Sequence, residues 1–99
     1  DNYFSDQMFN VNLEDKGRYY EADATIENMD PKDVKVSFAD GLLTISGEKR
    51  MESVSPDNTS RATRYEYLSK TIRVPDTNKT VTARAVNGRL KVTIPKPST

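Results

Sequence analysis

The chain has 99 residues, enough for one domain with a single modest core. Its 15 basic and 15 acidic residues cancel, which argues against nucleic-acid or membrane partners held by bulk charge. It contains no cysteine and no histidine, so disulfides, thiolate metal sites, the usual general base and the usual thiol nucleophile are all excluded.

In chain order, residues 8–13 read as a first strand ahead of a turn at Asp15-Lys16-Gly17. Residues 19–26 place Tyr20, Ala22, Ala24 and Ile26 on one face and Tyr19, Glu21, Asp23 and Thr25 on the other. After a turn around Asn28 and Pro31, where Asp30-Pro31-Lys32-Asp33 suits one helical turn, Val34, Val36 and Phe38 alternate with Lys35 and Ser37. Asp40-Gly41 predicts a tight hairpin into Leu42-Leu-Thr-Ile-Ser-Gly47, because both turn residues tolerate positive φ. Residues 51–63 turn to Ser, Pro, Asp, Asn and Thr and predict a loop longer than a usual hairpin connection. Strand character resumes at Arg64 and runs through Leu68, Ile72 and Val74 to Pro75, and residues 76–79 form a turn. Val81, Ala83 and Ala85 then alternate up to Asn87-Gly88, which predicts a second tight hairpin. The last strand sets Leu90, Val92 and Ile94 against Arg89, Lys91 and Thr93, and Pro95 stops it. No stretch sustains a helical period. About seven or eight short strands with regular turns make an all-β antiparallel sandwich or barrel.

Little here can do enzyme chemistry. Asp30, Asp33, Glu48, Glu52, Asp57 and Asp76 sit at turns or strand ends among Lys and Arg, as solvated residues do. The glycines are isolated, so there is no phosphate-cradling loop, and the calcium-loop ligand spacing is absent around Asp15, Asp30 and Asp40. Neither an enzyme, a cofactor nor a metal site is expected. Arg84, Arg89 and Lys91 form a stripe on the outer face of the last hairpin, read as a solubilising face, and the tyrosines read as strand and interface residues. The two sequons at Asn58 and Asn78 are what chance supplies in an Asn/Ser/Thr-rich chain. No apolar run spans a bilayer and no signal peptide is visible; the cysteine-free composition fits a reducing, cytoplasmic setting. The start at Asp1 reads as a trimmed piece of a longer protein.

Lys70 breaks the pattern, sharing parity with Leu68, Ile72 and Val74. It is a snorkelling lysine, an inward charge that protects an edge strand, or half of an ion pair across a subunit interface.

Four segments, in order, resemble the small heat-shock protein (α-crystallin) family. They are residues 19–34, Asp40-Gly-Leu-Leu-Thr-Ile-Ser-Gly-Glu-Lys-Arg50, Leu68-Ser-Lys-Thr-Ile-Arg-Val-Pro75, and Ala83-Arg-Ala-Val-Asn-Gly-Arg-Leu-Lys-Val-Thr-Ile-Pro-Lys96. Glu27-Asn28 departs from the usual Pro-Gly, Lys70 stands where the family usually has arginine, and Arg89 replaces an apolar residue. The resemblance implies an immunoglobulin-like sandwich over residues 11–96, with 1–10 a remnant of an N-terminal region and the start of the first strand, and 97–99 a truncated tail. It implies an ATP-independent holdase that binds partly unfolded client proteins, dimeric by loop exchange of the bacterial and plant type, and a larger homo-oligomer at full length. Residues 61–67 of one copy would then lie near residues 8–13 of the other, with Phe9, Val11, Arg61, Arg64, Tyr65, Tyr67 and Lys70 at the interface. An edge groove for a tail or client segment would be lined by Val34, Val36, Val81, Ala83 and Leu90, residues that also suit ordinary core packing. A co-chaperone module docking on a larger chaperone and a purely homotypic structural domain are the competing readings.

Overall fold

A computed structural model describes residues 10–75 and 80–97. Phe9 and the expected turn at 76–79 lie outside the described residues. The described strands are β1 (Val11–Asp15), β2 (Tyr19–Thr25), β3 (Lys35–Ala39), β4 (Leu42–Val54), β5 (Arg61–Arg73), β6 (Thr82–Val86) and β7 (Arg89–Pro95). They form two antiparallel sheets, ordered β1-β2-β7-β6 and β3-β4-β5. The helical turn expected near Pro31 is a 3-10 turn, Pro31–Asp33, with the Asp30 carboxylate accepting from the Lys32 N–H at 3.2 Å. Its proline sits where a missing N–H costs nothing.

The core is what the alternation demands. Ala22, Ala24 and Ile26 from the β2 side, Leu90, Val92 and Ile94 from β7, and Leu43, Ile45, Leu68 and Val74 from the other sheet are all buried. Burying each of the leucine, isoleucine and valine side chains among them contributes about 1.5–3 kcal/mol, a large share of what a domain this small can gather. Both short hairpins fold as expected. Asp40 and Gly41 have φ of 52° and 75°, and Asn87 and Gly88 have 50° and 76°, the mirror-image turn whose twist suits two-residue hairpins. At Gly47 the reason for glycine is space: a Cβ there would meet the Met29 methyl at 2.6 Å and Val34 Cγ2 at 3.4 Å.

One expectation is corrected. The long loop expected over residues 51–63 is mostly strand: β4 continues to Val54, β5 starts at Arg61, and the two stay in register out to Val54 opposite Arg61. Only residues 55–60 turn. Ser55 Oγ accepts from the N–H groups of Thr59 (3.2 Å) and Ser60 (3.1 Å) and donates to Asp57 Oδ1 at 2.7 Å. Asp57 Oδ1 also accepts from Thr59 N (3.2 Å) and Oγ1 (2.7 Å), and Asn58 takes φ 66°. A Ser-Pro-Asp-Asn-Thr-Ser run therefore closes a hairpin with its own side chains. At 3.3 Å per residue the thirteen-residue strands make a hairpin about 40 Å long. The distal part is solvated on both faces, so no apolar period marks it as strand.

Candidate functional site

The two sheets leave an open flank between β3 and β6. On one wall, Val34, Val36 and Phe38 are half-buried against the core. On the other wall every residue of β6 is exposed. Ala83 and Ala85 stand in register with the core residues Val92 and Leu90, so they share the inward face, yet nothing covers them. Val81 is half-buried and packs on the core. Towards the β6–β7 turn the flank opens into a 540 Å³ concavity lined by Ile26, Met29, Pro31, Ala85, Val86 and Gly88, among others. Edge backbone groups above small apolar side chains suit the addition of an extended segment.

Of the residues expected to line an edge groove, Val34, Val36 and Val81 are half-buried against the core and Ala83 is exposed on β6. Leu90 is 5% exposed and belongs to the core beneath. Ala85 and Val86 line the concavity, and Phe38 shares the inward face of Val36. The two-residue period that picked out Ala83 and Val36 also runs through Ala85 and Phe38, so the signal for those two was present in the sequence.

The β4–β5 hairpin arm is the second feature. Tyr65 and Tyr67 are 63% and 67% exposed, and Arg61 and Arg64 are exposed. Arg61 Nη1 lies 3.3 Å from Glu52 Oε1, and Glu52 also pairs with Arg50. Lys70 is half-buried opposite the fully buried Ile45, on the inward face its parity predicts. Val11 is half-buried against the core, leaving only the backbone edge of β1 available. The edge strands differ in charge. Along β5 lie Arg61, Arg64, Lys70 and Arg73 with a single carboxylate, Glu66, whereas β1 carries Glu14 and Asp15 and no cation.

Where the arm leaves the sandwich, an 820 Å³ notch is lined by Asp30, Asp33, Glu48, Glu52, Arg50 and Tyr65, with Asn28 and Met29. Among the described residues no group of three or more acidic side chains is arranged to hold a metal ion. The basic stripe on the last hairpin is largely neutralised. Arg89 grips Asp23 through Nε and Nη2, each at 3.0 Å, and Lys91 lies 3.9 Å from Glu21 and 3.8 Å from Asp23. Asp23 holds the Arg89 guanidinium's pKa above its ordinary value. Near the exit of the last strand, Lys96 Nζ contacts Asp15 at 2.7 Å and sits 4.7 Å from the Tyr20 ring centroid.

Comparison with known proteins agrees with this architecture. The model of the Hsp20/alpha crystallin family matches residues 12–99. The chain is 25% identical over 109 aligned residues to heat shock protein HSP.16.4 of Streptococcus thermophilus, covering 98% of this chain and 74% of that protein. Among solved structures, the hspA of Xanthomonas axonopodis superposes with a TM-score of 0.69 at 25% identity, covering 89% of this chain and 92% of the other. A small heat-shock protein from Xylella fastidiosa, described as having a distinct high order structure, gives 0.72 at 26% identity over 92% and 87% of the two chains.

Proposed function

Because the chain belongs to the Hsp20/alpha crystallin family of chaperones, we propose that it acts as an ATP-independent holdase. It captures extended segments of partly unfolded proteins along the β3–β6 flank and so limits their aggregation. The observation that carries this reading is the inward-facing yet exposed pair Ala83 and Ala85 on an edge strand. A client segment with alternating aliphatic residues gains main-chain hydrogen bonds there and covers apolar surface, with no nucleotide required. The test is light scattering from a heat-aggregating client at a fixed chaperone ratio. Protection is expected from the parent chain and a severalfold loss with Ala83→Lys or Ala85→Lys, which fill the channel with charge. Equal protection by these variants would move the client site elsewhere.

The functional unit of this proposal is a homodimer. Residues 61–67 of the arm add to the free edge of the partner's β1, so the exchanged element is a hairpin arm and not a loop. Charge supports this pairing: a largely cationic β5 meets an acidic β1, whereas β5 against β5 sets four cations on each strand near four on the other. The uninterrupted β5 favours that second arrangement on geometry alone, and cross-linking separates the two. The chain lacks cysteine, so oxidation of a variant with cysteines at Thr63 and Asn12 reports arm exchange, and one with cysteine at Tyr65 reports β5 self-pairing. A larger homo-oligomer at full length, supported by the high-order structure of the Xylella relative, and a cytoplasmic location belong to the same proposal. Among the described residues no helix is long and apolar enough to cross a membrane.

A further inference from the structure

Met29 holds the segment between β2 and β3 onto β4. Its N–H donates to Ile26 O at 3.1 Å, it bridges to Lys49, and Arg50 N donates to the neighbouring Asn28 O at 2.9 Å. Its methyl packs over Gly47 beside Val34 Cγ2, with so little room that a Cβ at position 47 would lie 2.6 Å from the first and 3.4 Å from the second. Val34 is also part of the half-buried wall of the open flank. The Met29 residue is 8% exposed, yet it lines both the 820 Å³ notch and the 540 Å³ concavity, so solvent-filled space reaches it from two sides.

With no cysteine in the chain, Met8, Met29 and Met51 carry its only sulfur atoms. Met51 is half-buried on the arm opposite Arg64 and lines neither hollow. Hydrogen peroxide is little larger than water and fits such spaces. The thioether sulfur gives a lone pair to one peroxide oxygen, the O–O bond breaks, and methionine sulfoxide and water result. Sulfur loses two electrons and the peroxide gains them. The product adds volume where Gly47 leaves none, and it adds a polar oxygen. Gly47 has no side chain and that of Val34 is aliphatic, so neither offers that oxygen a side-chain donor. Lifting the segment off β4 relieves both problems and uncovers the buried Ile26 at the end of the flank.

We propose that Met29 is a peroxide-oxidation site whose sulfoxide releases residues 28–34 from β4, widens the apolar flank and raises client capture. The gain in capture rests on the holdase reading above; the release does not.

The experiment treats a Met8→Leu/Met51→Leu chain, in which Met29 holds the only sulfur, with hydrogen peroxide. Intact mass, amide exchange and light scattering from a heat-aggregating client are then measured. Uptake of one oxygen is expected, with exchange at the Met29 and Arg50 amides accelerated about tenfold and client protection raised severalfold. Methionine sulfoxide reductases with their dithiol reductant should reverse both changes. Met29→Gln, which puts a polar amide in the same space, is expected to show the fast exchange and the higher protection without peroxide. Adding Met29→Leu should leave the chain inert to peroxide. No oxygen uptake by the folded chain, or uptake with unchanged exchange, overturns the inference. Faster exchange with unchanged or lower protection overturns the link from Met29 to the flank and leaves the holdase reading standing. An untreated parent that never protects the client overturns the holdase reading and the gain in capture, while the exchange data still decide the release.

Discussion

The methyl group of Met29 rests against Gly47, so close that a Cβ at position 47 would lie 2.6 Å from it. Met29 is 8% exposed and pairs by an isolated bridge with Lys49, and its neighbour Asn28 accepts a hydrogen bond from Arg50 N at 2.9 Å. The segment between β2 and β3 is thus pegged onto β4 where the arm departs. Gly47→Val is expected to destabilise the fold by about 1–3 kcal/mol, the usual cost of overfilling a packed site. Gly47→Ala is expected to cost less, since only the flexible end of Met29 must move. In a double-mutant cycle by urea denaturation, Met29→Ala should recover part of the Gly47→Ala loss. Additive effects there would mean that the two residues do not share the space.

The turn that closes the arm has an acid-sensitive element. Hydrogen bonds from Ser55, first, and then Thr59 hold the Asp57 carboxyl down from an ordinary 3.8 to about 2. A depressed carboxylate contributes to the turn at pH values above its unfolded pKa, and that contribution disappears as pH falls through the folded one. The turn should therefore be intact at pH 5 and loosen progressively between about pH 4 and pH 2. Carbon NMR titration of Asp57 checks the value, and Ser55→Ala should raise it part of the way towards that of a free aspartate, the Thr59 hydrogen bonds remaining.

The Lys96–Asp15 contact should behave as a two-sided window. The Lys96 side chain lowers the Asp15 pKa, helped by the Gly17 N–H at 2.9 Å, and Asp15 in turn raises that of Lys96. The Asp15 contribution is lost as pH falls through its lowered value. That of Lys96 is lost as pH rises through its raised one, so the contact is complete from weakly acidic to weakly alkaline solution. Asp15→Asn is expected to restore ordinary lysine titration at Lys96 and to shift the Tyr20 ring resonances. An unmoved Lys96 titration would show that the contact does not persist in solution.

Gly88 has φ 76°, and a Cβ there would come within 3.3 Å of Glu27 Cγ. Gly88→Ala is expected to cost about 1–2 kcal/mol, because an L-residue in the left-handed region strains against its own carbonyl. Asn87→Gly should be nearly neutral, since glycine enters that region freely. Thermal unfolding of the two variants gives the comparison. Equal losses would mean that the turn has changed type.

Shortening the arm tests its role in assembly. Glu52 and Thr63 are register partners, so replacing residues 53–62 by Asn-Gly keeps the ladder and closes it with a two-residue turn. The proposed exchange predicts a folded monomer, read by sedimentation with circular dichroism as the folding control. A shortened chain that remains dimeric places the interface elsewhere. Lys70→Met asks the narrower question of whether that charge contributes: an unchanged dimer constant removes it from the interface.

Much of this fold was legible in the chain itself. Two-residue alternation through Ala22, Ala24 and Ile26, and through Leu90, Val92 and Ile94, together with Asp40-Gly41 and Asn87-Gly88, determined an antiparallel sandwich and most of its strands. Those signals are local: a turn needs residues that accept positive φ, and a half-buried strand needs one apolar face. Only the tertiary structure decided the rest. The arm's strands beyond Gly47 and before Leu68 have water on both faces, so no periodicity could separate strand from loop, and the pairing of β4 with β5 had to be seen. Leu90 and Ala83 share an inward parity, but whether an inward residue is covered depends on how far the opposite sheet extends, which lies outside any single strand's sequence. Glu66 looks like an ordinary polar strand residue until packing closes water away from one of its oxygens.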